Sequence, residues 1–363
     1  MENNTRGILM FAHNNQEIDY FRMAIINSLL IQKHLGLTSE QITIVTDAST
    51  YEYGVSQFGE EKIEEACVNF IISETDLKFK HNNQRTFKDT YYNPKMLPFY
   101  NVNRADAYQL SPYDETIVID VDYLIFSDSL NHCWGHSNDL MMNWEFNDVL
   151  DCRKFDELDR LNPLGISMYW ATVVYFKKTA ESETFFNLVK HVRSNREYYS
   201  SLYKFNNGVY RNDFSFSIAA HMLYGFQDKG LPQLPVKLFK TFDNDDVHKV
   251  KGDQLYLYVE KPRSPGDFVL VKWKGIDIHI MNKWAVNRIS EHLLYIAQND
   301  VADDYEISLE DQELDSKLKE NLPDLDTLST DSASKPKFND VKDAIAAFKA
   351  MQEAKKAHNL GTK

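Results

Sequence analysis

Asp120 and Asp122 stand two residues apart at the end of an apolar run, in the stretch 115–126 (ETIVIDVDYLIF). Side chains two apart in an extended segment project to the same side, so the two carboxylates share a face. Held together they repel each other unless a cation or a proton sits between them. A hard divalent ion with open positions for phosphate oxygens resolves that repulsion, which is the requirement of sugar-nucleotide chemistry. The plain alternative is a strand-end pair of aspartates making turn and cap bonds.

The elements that would position this pair follow from the pattern of apolar residues. Ile117, Val118 and Ile119 form a β-branched run suited to a strand buried on both faces of an α/β sheet. Residues 7–12 read as a first strand, 13–15 as a polar turn, 17–35 as a helix stopped by Gly36, and 42–45 as a second strand ending in Thr46-Asp47. Strand, helix, strand is a βαβ unit, whose loops at the carboxyl ends of the strands are where a nucleotide sits. His13, Asn14, Tyr20 and Asp47 are therefore candidates for base and ribose contacts, with turn and capping duty as the alternative for each.

Further along, 60–66 reads as helix and 68–73 as a third strand. The polar segment 78–93, with Arg85 and Lys88, reads as a loop that folds over a ligand. A helix over 96–110 carries Arg104 and Tyr108 toward the turn Ser111-Pro-Tyr113. Residues 140–144 suit a strand, 148–163 a connecting loop, and 167–176 (SMYWATVVYF) an aromatic, β-branched strand near the site. Helices follow at 182–192 and 212–223, the second entered through Asn212-Asp213, a fair cap signal. Late strands are expected at 254–259, 268–273 and 276–281.

A chain of 363 residues with 43% apolar content can bury one large α/β domain with additions, or two smaller ones. Cys67, Cys133 and Cys152 lie far apart with no CxxC spacing, which argues for a reducing compartment and against a zinc site. With no charged-then-apolar leader and no membrane-length apolar run, we expect a cytoplasmic protein without a membrane span. The net charge of −14 argues against a broad nonspecific nucleic-acid surface while leaving room for a local basic groove. Between 300 and 334 twelve acidic residues face two lysines. We expect an acidic, disordered linker over 299–337 and a short amphipathic helix over 338–357, with Val341, Ile345 and Phe348 on one face, able to dock on a partner or on its own domain.

Read together, the βαβ start, the segment Arg104-Ala-Asp-Ala-Tyr108-Gln-Leu-Ser-Pro-Tyr113, the Asp120-Val121-Asp122 strand end and the late His279-Ile-Met-Asn-Lys283-Trp284 resemble a GT-A fold glycosyltransferase of the glycogenin-like family 8 group. The likeness spans most of residues 7–290. It implies an α/β fold, a Rossmann-like mixed sheet flanked by helices, with a catalytic domain over 1–298. It also implies a hexosyl- or pentosyltransferase that moves a sugar from a nucleotide-diphosphate donor, a UDP-sugar as first guess, with retention of configuration. Asp120, Asp122 and His279 then map onto the ligands of a manganese or magnesium ion. Arg104 and Lys283 map onto residues facing the donor diphosphate, and Val121 falls among the donor contacts. Ala12, His13, Asn14 and Tyr20 fall where the family holds the uracil base.

Departures from the family pattern fall mainly on the acceptor side. The late segment is one residue short before Lys283 and lacks the family's glycine and proline. Tyr169-Trp170-Ala171-Thr172 replaces a Phe-Asn-Ser/Ala-Gly segment, and Asp213-Phe214 replaces an Asp-Gln pair. The resemblance therefore implies retained donor chemistry and a rebuilt sugar and acceptor pocket, with Trp170 and Thr172 reshaping it and Asp213 as the candidate catalytic residue. The acceptor stays open among a protein side chain, a glycan, a lipid-linked sugar and a modified nucleic-acid base.

Three rival readings stand beside it. A haloacid-dehalogenase-type phosphatase would use Asp120 as nucleophile and Asp122 as acid, with Asp243, Asp245 and Asp246 as distal metal acids, but Tyr123 occupies the place of an expected glycine. A non-catalytic scaffold of the same fold would act through the 338–357 helix. A nucleotidyltransferase would want a glycine-rich loop after the first strand, which 12–15 (AHNN) lacks.

Overall fold

β1 (Arg6–Phe11) is buried along five of its six residues. Its side chains alternate: Ile8 and Met10 enter one hydrophobic core, Leu9 and Phe11 another on the opposite face. A central strand covered on both sides is the arrangement such a continuous apolar run demands. The computed structural model describes residues 5–299 apart from Gln16, 75–83, 89–93, Val102, 151–152, 154–159, 163–164, 206–210 and 252–253. The expected acidic linker beyond Asn299 and the helix at 338–357 lie outside the described residues, as do the side chains of Arg85 and Lys88.

α1 (Tyr20–Leu35) follows β1. The Asp19 carboxylate accepts the Arg22 amide at 2.9 Å to open the helix, and Gly36 closes it in the left-handed region at φ 67°. β2 (Ile42–Thr46) returns parallel to β1. α2 (Ala48–Phe58), which the sequence pattern does not announce, comes next. Its composition is poor in strong helix formers and includes Gly54. Tertiary packing holds it: a Cβ on Gly54 would come within 2.2 Å of the Phe21 ring, so only glycine lets α2 approach α1 this closely. α3 (Glu60–Ala66) and β3 (Asn69–Ile72) complete this half, with β3 parallel to β2.

Two expectations fail in the next segment. The stretch read as a loop contains β4 (Gln84–Lys88), paired antiparallel with β5 (Pro94–Pro98). The helix read over 96–110 shrinks to a 3-10 turn, Asn103–Asp106, and α4 (Ala107–Leu110). Pro94 and Pro98 supply the physical reason. Each lacks a backbone donor and keeps the residue before it out of the helical region, and an edge hairpin tolerates both.

β6 (Glu115–Ile119) lies parallel to β1 on the side away from β2. After it come β7 (Tyr123–Leu124), β8 (Leu140–Asn143), β9 (Asn147–Asp148) and β10 (Trp170–Lys177). β10 runs antiparallel to β6, and β8 antiparallel to β10, so among the described residues the main sheet is mixed, in the order β3-β2-β1-β6-β10-β8. α5 (Ala180–Ser194), α6 (Arg196–Tyr203) and α7 (Asn212–Leu223) follow, and Phe185, Phe186 and Phe216 of α5 and α7 pack against Leu9, Phe11 and Val118. α1 covers the other face through Ile25 and Leu29, against Ile8 and Ile117. The fold is thus an α/β mixed sheet flanked by helices.

Two short late strands decide where the site lies. β11 (Phe239–Lys240) pairs parallel with β9, and β12 (Asp246–Lys251), β13 (Gln254–Glu260) and β14 (Phe268–Lys274) form a separate antiparallel sheet. β15 (Ile278–His279) joins β11 in parallel and β7 antiparallel, with His279 opposite Tyr123. α8 (Lys283–Arg288) and α9 (Ser290–Gln298) end the described chain. No helix among the described residues is long and apolar enough to cross a membrane.

Candidate active site

Asp120 follows the last residue of β6, at the carboxyl end of the parallel strands, where open α/β sheets leave room for ligands. β10 passes β6 in the opposite direction, so that Trp170, Ala171 and Thr172 lie beyond the end of β6. The Asp120 amide donates to the Thr172 carbonyl at 2.9 Å. From the other side, β15 pairs with β7 and delivers His279, while the Ile280 amide donates to the Asp122 carbonyl at 3.0 Å. Pairing of β6 with β10 on one flank and of β7 with β15 on the other thereby brings residues 120, 122, 172 and 279 together.

Asp120, Asp122 and His279 each offer a ligand atom, and these atoms lie within 4.8 Å of one another. His279 Nε2 is 3.3 Å from Asp122 Oδ1 and 3.9 Å from Asp120 Oδ2. Its Nδ1 faces the Thr172 hydroxyl at 3.2 Å, an orienting contact of the kind that second partners make to metal-binding histidines. Asp122 is buried while Asp120 is partly open, so the cluster has a closed floor and one accessible side. Two carboxylates and an imidazole suit a hard or borderline divalent ion, and their convergence on one point fits such an ion.

Two cations flank the cluster. Arg104, held in the 3-10 turn, donates to the Asp120 carboxylate and to the Ala171 carbonyl. Lys283 opens α8, whose cap is Asn282 accepting from the Ala285 amide at 3.2 Å. The Lys283 ammonium lies against the Asp122 carboxylate and donates to the Met281 carbonyl at 3.2 Å. The shortened spacing before Lys283 therefore still delivers it to the cluster. Burial pushes the Asp122 carboxyl up, but the Lys283 ammonium and the His279 ring outweigh it and hold the group well below the usual carboxylate range. Asp122 stays ionised.

The cluster sits at the floor of a cleft that opens to solvent. Tyr20, Val121, Trp170, Thr172 and Asp213 line it with the charged residues already named. Trp170 is held from behind by the buried Lys240 ammonium, 4.0 Å from the ring centroid, and by the Phe146 ring edge-on at 5.0 Å. Asp213 lies in the first turn of α7 and does not cap it. Its carboxylate accepts the Ala171 amide at 3.0 Å and pairs with Arg211 at 2.9 Å.

The candidates at the first strand end divide. Tyr20 lines the cleft, whereas Ala12, His13, Asn14 and Asp47 do not. The His13 ring is buried between the Asn101 side chain and the Ser73 carbonyl, each at 3.0 Å. Asn14 accepts the Phe21 amide at 2.8 Å and donates to Asp19 at 3.0 Å, which staples the start of α1. Asp47 caps α2 by accepting the Thr50 amide at 2.8 Å. Ala12 is buried, its carbonyl accepting the Thr46 hydroxyl at 2.6 Å.

Phe99, Asn101, Arg211 and Asn212 also line the cleft, and the sequence pattern does not single them out for it. The Pro94 and Pro98 pair carried a signal for the first two, since an extended segment there leads into the site. For Arg211, the signal was a cation just ahead of a helix start. The distal acids of the phosphatase reading are elsewhere. Asp245 pairs with Arg153 at 2.6 Å and Asp246 with Arg288 at 2.5 Å, and neither lines the cleft.

Asp277, two residues before His279, accepts the Phe126 and Ser127 amides at 2.8 Å each through Oδ1. Burial pushes its carboxyl up to about 6, against the amide and hydroxyl donors that pull the other way. A folded-state value above the usual 3.8 means that the fold favours the protonated acid. That stabilisation is whole below about pH 4 and is lost as pH rises through about 6, an effect of about 3 kcal/mol for a two-unit shift. Asp277→Asn keeps the acceptor and removes the titration. Urea melts across this window should show wild type losing stability relative to the variant; parallel curves would exclude Asp277 as the group.

No protein-family model and no curated protein sequence matches the chain. Solved structures do resemble it. A galactosyltransferase, LgtC, in complex with donor and acceptor sugar analogs aligns with a TM-score of 0.44 at 11% identity, over 85% of this chain and 99% of that one. The apo-form glycosyltransferase GlyE of Streptococcus pneumoniae TIGR4 aligns with a TM-score of 0.35 at 13% identity, over 63% of this chain and 45% of that one, so the chain spans less than half of GlyE. A putative glucose-1-phosphate thymidylyltransferase from Bacillus anthracis aligns with a TM-score of 0.37 at 9% identity, over 84% and 98%.

Proposed function

We propose that the chain is a metal-dependent glycosyltransferase of GT-A type, with residues 1–298 as its catalytic unit and a UDP-sugar as the first donor to try. The observation that carries this reading is the convergence of Asp120, Asp122 and His279 on one point, between Arg104 and Lys283, at the floor of a cleft. Manganese or magnesium, held by the two aspartates and the histidine, would supply a fixed positive charge beside the leaving diphosphate. Arg104 and Lys283 add the protein's own positive charge at the same place, where negative charge grows as the glycosidic bond breaks. Tyr20, with Phe11 and Phe99 nearby in the lining, offers aromatic surface for the base. Trp170 and Thr172 border the sugar and acceptor side, and Asp213 is positioned to steady the sugar as it departs. Retention of configuration comes with the family resemblance, and the acceptor remains one of the classes named above.

Charge balance makes the reading specific. The two aspartates and the two flanking cations cancel, so an ion or a doubly charged donor entering alone leaves the site unbalanced, whereas together they restore neutrality. Ion and donor should therefore bind cooperatively, each raising the affinity of the other by the same factor, about 10-fold or more. Calorimetric titration of UDP with and without manganese measures this. Equal affinities in the two titrations would sink the proposal, as would a donor screen in which no nucleotide sugar is hydrolysed with metal present.

A further inference from the structure

β12, β13 and β14 form a three-stranded antiparallel sheet with two unlike faces. One face carries Leu255, Leu257, Val259 and Trp273 into the core. The other is open, and its composition contrasts with that of a chain whose net charge is −14. Register places Lys249, Tyr256 and Lys272 in one row across the strands, and Lys251, Gln254 and Lys274 in the next. All four lysines are exposed. The following rows hold Tyr258 opposite Leu270, then Glu260 opposite Phe268. Tyr258 and Phe268 are each 39% exposed and Leu270 is 55% exposed, a large apolar and aromatic area to leave in water.

Two carboxylates on this face, Asp246 in the Tyr258 row and Glu260 in the Phe268 row, and Asp267 beside it are engaged with other partners. Asp246 pairs with Arg288 at 2.5 Å, Asp267 with Lys261 at 2.8 Å, and Glu260 accepts from Asn244 at 3.1 Å and from the Gly266 amide at 2.7 Å. Lys249, Lys251 and Lys272 take part in no ion pair among the described residues. The Lys249 ammonium lies 5.2 Å from the Tyr256 centroid, and the His248 ring lies 4.8 Å from that of Tyr258. Two lysine rows thus lead into aromatic and apolar rows along one face.

We propose that this open face is a docking platform for single-stranded nucleic acid, the lysines taking phosphates and Tyr258 and Phe268 offering surfaces for stacked bases. Such binding needs a positive track with aromatic planes along it and no sequence-specific hydrogen bonding. From Lys274 to Phe268 the strip runs six residues, roughly 20 Å at the usual strand rise, which suits a few nucleotides. A membrane surface fits less well. The apolar side chains lie in mid-face, between the lysine rows and the charged hairpin that bears Lys261 and Arg263, so no apolar tip projects to enter a bilayer. The inference stands apart from the cleft, and its test does not depend on donor turnover.

A plainer role for lysines on outer strands is to block pairing with other strand edges. Glutamate does that as well as lysine, which separates the two ideas. Full-length wild type should bind a short fluorescent oligo(dT) with an affinity that falls as salt rises. Lys249→Glu combined with Lys272→Glu should weaken binding at least about 10-fold and reduce the log–log salt slope by about 1.4, or 0.7 per lost phosphate contact. Tyr258→Ala should weaken binding about fivefold or more and leave the slope unchanged. Circular dichroism on each variant checks that the sheet survives. Failure of wild type to bind oligo(dT) at low salt, unchanged binding by folded variants, or binding only to phosphatidylserine vesicles would each overturn the proposal.

Discussion

Asp122→Ala should reduce metal-dependent donor turnover by at least about 100-fold, because it removes the closed floor of the cluster and not just one of several equivalent ligands. Asp122 is the buried carboxylate of the cluster, set between Lys283 and His279. The same change leaves the Lys283 ammonium buried without its counter-charge, and breaking a buried pair from one side costs about 3–5 kcal/mol. A loss of activity could then reflect unfolding. Lys283→Met in the Asp122→Ala background separates the two effects: the double variant should regain most of the lost stability and none of the manganese affinity. Thermal melts and manganese titration read these separately. Near-normal manganese affinity in the folded double variant would remove Asp122 from the site.

Arg153→Ala should be among the most destabilising single changes, about 3–5 kcal/mol, with no direct effect on the cleft chemistry. The Arg153 guanidinium is buried between two buried carboxylates, its Nη1 2.6 Å from Asp245 and its Nη2 2.5 Å from Asp148. Burial works against its charge, and the hydrogen bonds it donates to Asp245 and Asp148 outweigh that and hold its pKa above the ordinary arginine value. Asp148 belongs to β9, and Asp245 also accepts the Phe242 and Glu260 amides, at 2.7 and 2.9 Å. One cation therefore ties β9 to the turn between β11 and β12. Removing it strands two buried negative charges. Adding Asp148→Asn to Arg153→Ala should recover part of the loss in a denaturant melt, whereas recovery by Arg153→Lys to wild-type stability would mean that the forked geometry is unimportant.

The parts of the fold that were legible in the sequence share one property. β1, α1, β2 and β6 are continuous in sequence, and each carries its own signal: an apolar run, a 3.6-residue period, or a cap such as Gly36. The parts that were not legible depend on remote partners. α2 has little helical propensity of its own and rests on the approach of Gly54 to Phe21. The 96–110 region reads as helix only if Pro94 and Pro98 are given too little weight, and its extended start is held by pairing with β4. At the site, the Asp120 and Asp122 pair announced itself through spacing, because two carboxylates on one side of a strand need a reason. Asp213 looked like a helix cap, and its bond to the Ala171 amide could not be read from local pattern.

By itself the sequence determined the chemistry available at the end of β6: two carboxylates in phase on an extended stretch, which local geometry places on one face wherever that stretch sits. Only the tertiary structure decided what they meet. β10 running against β6, and β15 against β7, carry Thr172 and His279 to the same point from segments far apart in the chain, while the 3-10 turn and the start of α8 bring Arg104 and Lys283. Ladder pairing between distant strands sets those positions, and a linear pattern of residue types does not encode it.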